Sequence, residues 1–581
     1  MAGLPNRPED FSTAAHAASY LSKADGVGNA STNGDTANGA KHDVQSSENI
    51  DVDVLIIGGG FTGVYGIHNF RKLGLSVKVF DAGSDFGGTW HWNRYPGARV
   101  DSESPYYTLT IPEVYKDWYW KERFPGHEEL REYFAHASKV LDLRRDANFS
   151  KVVTSASFDT EQGKWNVHTA DGSTAKCTYL VMGTGSTSKM YYPDFRDLNR
   201  YKGYLVHTAR WPKQSVDIEG KRICVIGSGA TGVQVVQTLA RENCDLTMCV
   251  RTPNTAIPMR QRQMSREEQI SPKCFYQSIL MGARDCWGGF PYNPAPKHWT
   301  EATPEERQTF YEELWLKGGF SFFVSNYIEL LNDREINKEI YAFWAKKTRA
   351  RIQDPIKRDI MAPLKQPHWI FTKRPSLEQD YYEMVDRDNV TVMDLKTHPI
   401  ERFTEEGIIF SGDKERKFDM IICATGYDNV SGSLFDAGLV DTDGVKLTEK
   451  WKNGIYTYMG LMVNKMPNMF MIYSPQAPTA LSNGPPLIEI QIEWIGRAIQ
   501  KMRTEGVKYI DAQAAAAECW RDEVQAISNE TLYPETDSWF MGANIPGKPR
   551  EQLIYLGGLN VYNRRTNDAL DGWKGFDVFQ S

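Results

Sequence analysis

One supersecondary unit occurs twice in this chain, and that repetition limits the architectures open to it. Residues 52–81 run from the apolar VDVLII through Gly58-x-Gly60-x-x-Gly63 into the helix-like VYGIHNFRKLG, then the strand-like SVKVF, which ends at Asp81. Residues 221–252 repeat the order with RICVI, Gly227-x-Gly229-x-x-Gly232, a helical stretch and the strand DLTMCV, which ends at Arg251-Thr252. An apolar strand entering spaced glycines and then a helix is a βαβ unit. The first glycine makes the tight turn, the second admits a close approach of backbone to a pyrophosphate, and the third lets helix and strand pack. The helix N-terminus beyond each turn offers N–H donors and partial positive charge. Two such units predict an α/β protein with two nested Rossmann-like dinucleotide-binding domains.

The two units end differently. Asp81 stands where a carboxylate accepts ribose hydroxyls, roughly 20 residues past its glycines. Arg251 stands at that place in the second unit, where a cation attracts a 2′-phosphate and no carboxylate repels it, so NADPH is favoured over NADH. TYLVMGTGS (178–186) and FDMIICATGYD (418–428) are apolar strands running into Gly-Thr-Gly and Ala-Thr-Gly turns. Strands of this kind suit a chain that returns to its first domain after completing the second. That nested order suggests FAD held permanently by the first unit and NADPH serving as reductant at the second. The expected segments are a flexible arm (1–50), the first part of an FAD domain (51–190), an NADPH domain (191–400), and the rest of the FAD domain with a C-terminal segment (401–581).

Composition removes other classes. A net charge of −7 and a pI near 6.0 give no global basic field for nucleic acid or an anionic membrane. No apolar run is long enough to span a bilayer, and the start MAGLPNRPEDFSTAAHAASY lacks the apolar core of a secretory signal. The eight cysteines contain no C-x-x-C pair and no metal-type spacing. They read as reduced thiols of a cytoplasmic protein without a metal, and they count against a dithiol–disulfide flavoprotein. Residues 24–50 are rich in Ala, Gly, Ser, Asn and Asp and cannot offset their ordering entropy, hence the expected arm; AAHAASYLSKA before them could form a short helix.

Between the two glycine units lies YKGYLVHTARWP (201–212). It resembles the fingerprint F-x-G-x-x-x-H-x-x-x-W-P/D of the type I (class B) flavin-dependent Baeyer–Villiger monooxygenases, as Tyr201, Gly203, His207, Trp211 and Pro212, with Tyr for the first Phe. GGTWHWNRYPGARVDSESPYYT (87–108), FTKRPSLEQDYYE (371–383), SPQAPTALSNGPP (474–486) and SWFMGANIPGKP (538–549) are similar to further motifs of that family, in the same order. The resemblance covers nearly everything from residue 50 onward. It implies FAD and NADPH as cofactors, and dioxygen and a small-molecule ketone as partners. The implied product is an ester or lactone, formed through a flavin C4a-peroxide.

The resemblance also implies roles. Arg374 is placed at the active site, against flavin and NADP, with Asp101 aiming it. Lys373 joins Arg251 and Thr252 on the 2′-phosphate. Phe61, Thr89, Trp90, Trp92, Tyr107, Val153 and Gly484 join Gly58, Gly60, Gly63, Asp81 and Asp101 around FAD. Ser228, Ala230, Thr231 and Gln234 join Gly227, Gly229 and Gly232 around NADP, and Trp539 holds its nicotinamide end. His207 anchors a linker that couples domain rotation to NADP. Plainer readings stand beside these: Arg374 as a cation ahead of a turn proline, Trp90 as a core anchor, His207 as ordinary packing. Rival functions are an N- or S-oxygenating flavin monooxygenase, disfavoured by Trp211-Pro212, and a catalytically silent flavin-binding partner protein.

Residues 262–345 predict helices inserted into the NADPH domain, with Ser265, Thr303 and Asn332 as N-caps. Within them FSFFVSNYIELL mixes aromatic and aliphatic residues at near-helical spacing, which predicts core.

Overall fold

The computed structural model describes residues 49–580; most of the expected arm, with its short helix, lies outside them. Val54, Leu55 and Ile56 are wholly buried, as a strand covered on both faces of a parallel sheet requires. They belong to β1 (Asn49–Ile57), which begins two residues before the boundary expected at 51. The first sheet adds β2 (Val77–Asp81), β3 (Ala147–Phe149), β4 (Val153–Asp159), β5 (Lys164–Thr169) and β6 (Thr174–Met182). β1 runs parallel to both β2 and β6, while β4, β5 and β6 form an antiparallel meander. Helix α1 (Phe61–Lys72) returns the chain between β1 and β2.

The second sheet contains β7 (Tyr204–His207), β8 (Arg222–Ile226) and β9 (Asp245–Val250). After a two-stranded parallel pair, β10 (Ile257–Pro258) and β11 (Leu377–Glu378), it adds β12 (Val390–Asp394). A small antiparallel sheet, β13 (Ile400–Phe403), β14 (Gly407–Phe410) and β15 (Glu415–Lys417), precedes its last strand, β16 (Met420–Cys423). The order is β12-β9-β8-β16-β7, all parallel. Helix α2 (Ala230–Leu239) links β8 to β9.

This corrects the boundary expected at 400. All four residues of β16 are buried, and both edges of the strand are used, by β8 on one side and β7 on the other. An apolar strand this short is satisfied only inside a sheet, so the second domain keeps the chain through Cys423. The return to the first sheet follows, with β17 (Leu439–Val440) beside β4 and β18 (Met469–Met471) beside β6.

The inserted helices include α3 (Arg266–Lys273), α4 (Tyr276–Ala283), α5 (Pro304–Lys317), α6 (Arg334–Arg349) and α7 (Pro355–Met361), so the insertion runs past 345. Ser265 caps α3, and Thr303 with Glu306 forms a capping box on α5. The cap of α6 is Asp333 rather than Asn332: its carboxylate accepts from the N–H groups of both Glu335 and Ile336. The Asn332 amide instead donates to the Glu530 carbonyl. Phe320, Phe322, Tyr327 and Leu330 are buried, so the aromatic stretch is core. Helix α8 (Gly484–Glu505) packs against α1. No helix among the described residues is long and apolar enough to cross a membrane.

Candidate active site

The glycine turns are built as a dinucleotide requires. Gly58 has φ of +120°, and a Cβ there would lie 2.2 Å from the Gly183 carbonyl oxygen. A Cβ on Gly63 would lie 2.5 Å from the Gly58 oxygen, so strand and helix meet at backbone distance. Gly60 caps α1 with no side-chain partner, leaving the helix N-terminus, opened by Phe61, open to an anion. The Asp81 carboxylate is buried and accepts from the Gly59 and Gly83 N–H groups, which aims it at this turn. Gly227 repeats the geometry with φ of +119° and a Cβ position 2.3 Å from the Ala424 oxygen. Gly232 packs on Gly227, Gly229 faces open space, and Ala230 and Thr231 open α2. The Ser228 hydroxyl donates to the Thr252 carbonyl at 2.7 Å. Both cradles fit a dinucleotide.

Gln234 has other work. Its side-chain oxygen accepts from the Tyr95 hydroxyl at 2.9 Å and its amide donates to the Arg99 carbonyl at 3.0 Å. It is buried and ties the second sheet's helix to the first domain. Val153 is buried in an apolar cluster with Leu55, Ile57 and Phe80.

Lys373 and Arg251 converge. Burial pushes the Lys373 ammonium pKa down, and the nearby Arg251 charge, with Lys396 beyond it, pushes the same way. Neither residue forms an ion pair with a described residue. The mostly exposed Asp537 carboxylate offsets this only in part, and cations held together in this way suit an anion.

Arg374 faces Asp101, as expected. Nε and Nη2 lie 3.0 and 2.9 Å from one carboxylate oxygen, and Nη1 donates to the Ala480 carbonyl. The guanidinium also lies 4.9 Å from the centre of the Phe320 ring. Burial opposes its charge, Asp101 favours it, and the net pKa is raised. The group is a fixed cation at any working pH. Tyr473 and Tyr533 also act on this charge, and the Tyr533 hydroxyl is buried without a described partner. Phe320 was expected only as core and Ala480 only within the 474–486 motif, and Tyr473 and Tyr533 were not singled out, because nothing in their spacing points to Arg374.

The aromatic residues of the expected site are held by ring and hydrogen-bond contacts. Trp90 is buried and donates from Nε1 to the Tyr107 hydroxyl at 3.1 Å, with the two rings edge to face. Thr89 starts their short helix, Thr89–Trp92, and Gly88 packs on Gly60 of the first turn. Trp92 carries the Arg210 guanidinium 4.8 Å from its ring centre. Trp539 is half-buried and stacks on Phe540 at 4.0 Å. Gly484 opens α8, with the Tyr473 ring 3.9 Å from where its Cβ would be.

The fingerprint residues are structural in a specific way. Tyr201 donates to the Phe418 carbonyl at 2.9 Å, and its ring covers Gly203 so closely that a Cβ there would lie 2.2 Å from the hydroxyl. His207 ends β7, fully buried; burial pushes its pKa down to about 3, so the ring is neutral. Nδ1 accepts from the Ala209 N–H. The rings of Tyr192 and Tyr427 flank it at 5.1 and 6.0 Å. Those tyrosines sit on the two segments that cross between domains, which pair through the Tyr191 N–H to the Gly426 carbonyl and the Asp428 N–H to the Lys189 carbonyl. Trp211 is buried in the second core. Pro212 follows it outside regular structure.

Comparison with known proteins gives one consistent answer. A family model described as pyridine nucleotide-disulphide oxidoreductase matches residues 52–270. The chain is 41% identical over 534 residues to the FAD-binding monooxygenase acrE of Aspergillus aculeatus, covering 92% of this chain and 90% of that one. It is 38% identical over 536 residues to the cyclopentanone 1,2-monooxygenase of Comamonas sp., covering 92% and 97%. Its fold matches the crystal structure of cyclohexanone monooxygenase from Rhodococcus sp. Phi1 bound to NADP+, with a TM-score of 0.88 and 32% identity, covering 92% of this chain and all of that one.

Proposed function

The chain belongs to the type I flavin-dependent Baeyer–Villiger monooxygenases, and on that premise we propose how its own side chains carry the reaction. The activity is the NADPH- and dioxygen-dependent oxidation of ketones to esters or lactones, with FAD as the bound cofactor. When bound, FAD accepts hydride from NADPH and activates dioxygen. Everything else falls to the protein.

The observation that carries the assignment of roles is the Arg374–Asp101 pair, a permanently charged fork aimed from three sides. Oxygen transfer to a ketone builds negative charge on the attacking oxygen and then on the substrate's carbonyl oxygen. A guanidinium already oriented by Asp101 and the Ala480 carbonyl stabilises that charge without reorganising. Asp101 fixes its direction. The glycine turn at 58–63 with Asp81 holds the flavin dinucleotide, and that at 227–232 holds NADP. Arg251 and Lys373 take the 2′-phosphate. The sheathed His207, neutral and without access to substrate, is a hinge anchor beneath the paired crossovers rather than an acid or base.

Replacing Lys373 by Ala is expected to raise the KM for NADPH about tenfold or more, the effect of one lost charge-assisted phosphate contact. The KM for NADH should barely move. Steady-state kinetics with both nucleotides checks this, and equal weakening of the two would remove Lys373 from the phosphate site.

A further inference from the structure

Segment 473–480 holds three non-glycine residues in the left-handed region: Tyr473, Gln476 and Ala480, with φ of 55°, 62° and 59°. Side chains disfavour this backbone, and it persists only where neighbours fix it. Two of the three are fixed within the core. The Tyr473 N–H donates to Gln491 at 2.9 Å, and Gln491 donates to the Tyr562 hydroxyl at 2.9 Å. The Gln476 side chain is buried between the Thr457 hydroxyl and the Ile455 carbonyl, both at 2.7 Å.

Ala480 has no such buried frame. Its N–H donates to the Tyr473 hydroxyl at 2.9 Å, and its carbonyl accepts from Arg374 Nη1. The two peptide groups that meet at Ala480 therefore link a phenol, on the N–H side, to the active-site guanidinium, on the carbonyl side. Leaving the left-handed conformation would swing the carbonyl away from Arg374 unless the preceding peptide turned with it, and the phenol is the side-chain contact that holds that peptide. The Tyr473 ring stands over Gly484, within the same site.

We propose that Tyr473 is a positioning residue: its hydroxyl fixes the peptide that enters Ala480, the left-handed turn at Ala480 sets the direction of the carbonyl that follows, and that carbonyl holds Arg374 as a second anchor beside Asp101. The proposal rests on the Baeyer–Villiger reading of this site. Two anchors confine a planar fork more closely than one, and misdirection of a charge stabiliser lowers transfer to substrate while leaving cofactor reduction intact. Reduced cofactor that meets dioxygen without productive transfer releases hydrogen peroxide.

The test uses the FAD-loaded Tyr473→Phe variant, which keeps the ring and loses the acceptor. Amide hydrogen exchange at Ala480, followed by mass spectrometry without substrate, should quicken by about tenfold, the equivalent of one hydrogen bond. The share of NADPH consumed that appears as hydrogen peroxide should rise severalfold, with the KM for NADPH unchanged. Adding Ala480→Gly should restore part of the coupling, because glycine takes the left-handed conformation without steric cost. Three results would overturn the proposal: wild-type exchange at Ala480, faster exchange with wild-type coupling, or uncoupling that Ala480→Gly does not relieve. Failure of the functional reading would show separately, as wild-type protein that leaves ketones unchanged, and the exchange experiment does not depend on it.

Discussion

Arg374→Ala is expected to keep FAD bound and to lose ester formation by a factor on the order of 10²–10³ in kcat, the range seen when one oriented charge stabiliser is removed. The two halves of this expectation have separate origins. Retention follows because the side-chain contacts of Arg374 are to Asp101, Ala480 and Phe320, none of them in the glycine turn that cradles the flavin dinucleotide. Loss follows because the guanidinium is the fixed positive charge of the cleft. Arg374→Lys would keep a charge but not the fork that meets Asp101 and Ala480 together, so it should recover only a fraction of the rate. Flavin absorbance and ester yield, read on the same preparation, check both halves. Full ester yield in Arg374→Ala would remove the residue from the mechanism.

Arg284→Met is expected to destabilise the fold by about 3–5 kcal/mol, the usual cost of stripping one partner from a buried ion pair. Arg284 and Glu489 are 5% and 0% exposed. Arg284 also meets Glu493 at 2.9 Å, and Glu489 accepts from both the N–H and the hydroxyl of Thr110 at 2.7 Å. The network joins the inserted helix α4 to α8 and to the segment that carries Tyr107. Burial already raises the Glu489 pKa despite Arg284 and Thr110, and removing the cation raises it further. With its folded pKa above the unfolded one, Glu489 binds protons more tightly in the native state, so stability falls as pH rises through that interval. The deficit of Arg284→Met should therefore shrink toward low pH, and Glu489→Gln in the same chain should recover part of it. Thermal unfolding of the FAD-loaded variants over pH tests this; a pH-independent deficit would contradict it.

Much of this was legible in the sequence because its signals are local. The glycines of 58–63 and 227–232 demand their turns wherever they occur, and the apolar strands that enter them mark the two sheets. The pairing of Arg374 with Asp101, 273 residues away, came from motif order rather than from physics. Misplaced features depend on long-range partners. MIIC at 420–423 reads like the end of either sheet, and only pairing with β7 and β8 assigns it. Asn332 and Asp333 are adjacent cap candidates, and Asp333 has the carboxylate that reaches two N–H groups. Tyr473 and Phe320 reach Arg374 only through the folded chain.

The central claim is tested most directly by supplying the purified, FAD-loaded protein with NADPH, isotopically heavy dioxygen and a panel of ketones, sulfides and amines, and weighing the products. The account predicts a ketone product heavier by one labelled oxygen, with that atom between the carbonyl carbon and the migrated carbon. Labelled sulfide or amine with every ketone untouched, or no consumption of NADPH by the FAD-loaded protein, would contradict it.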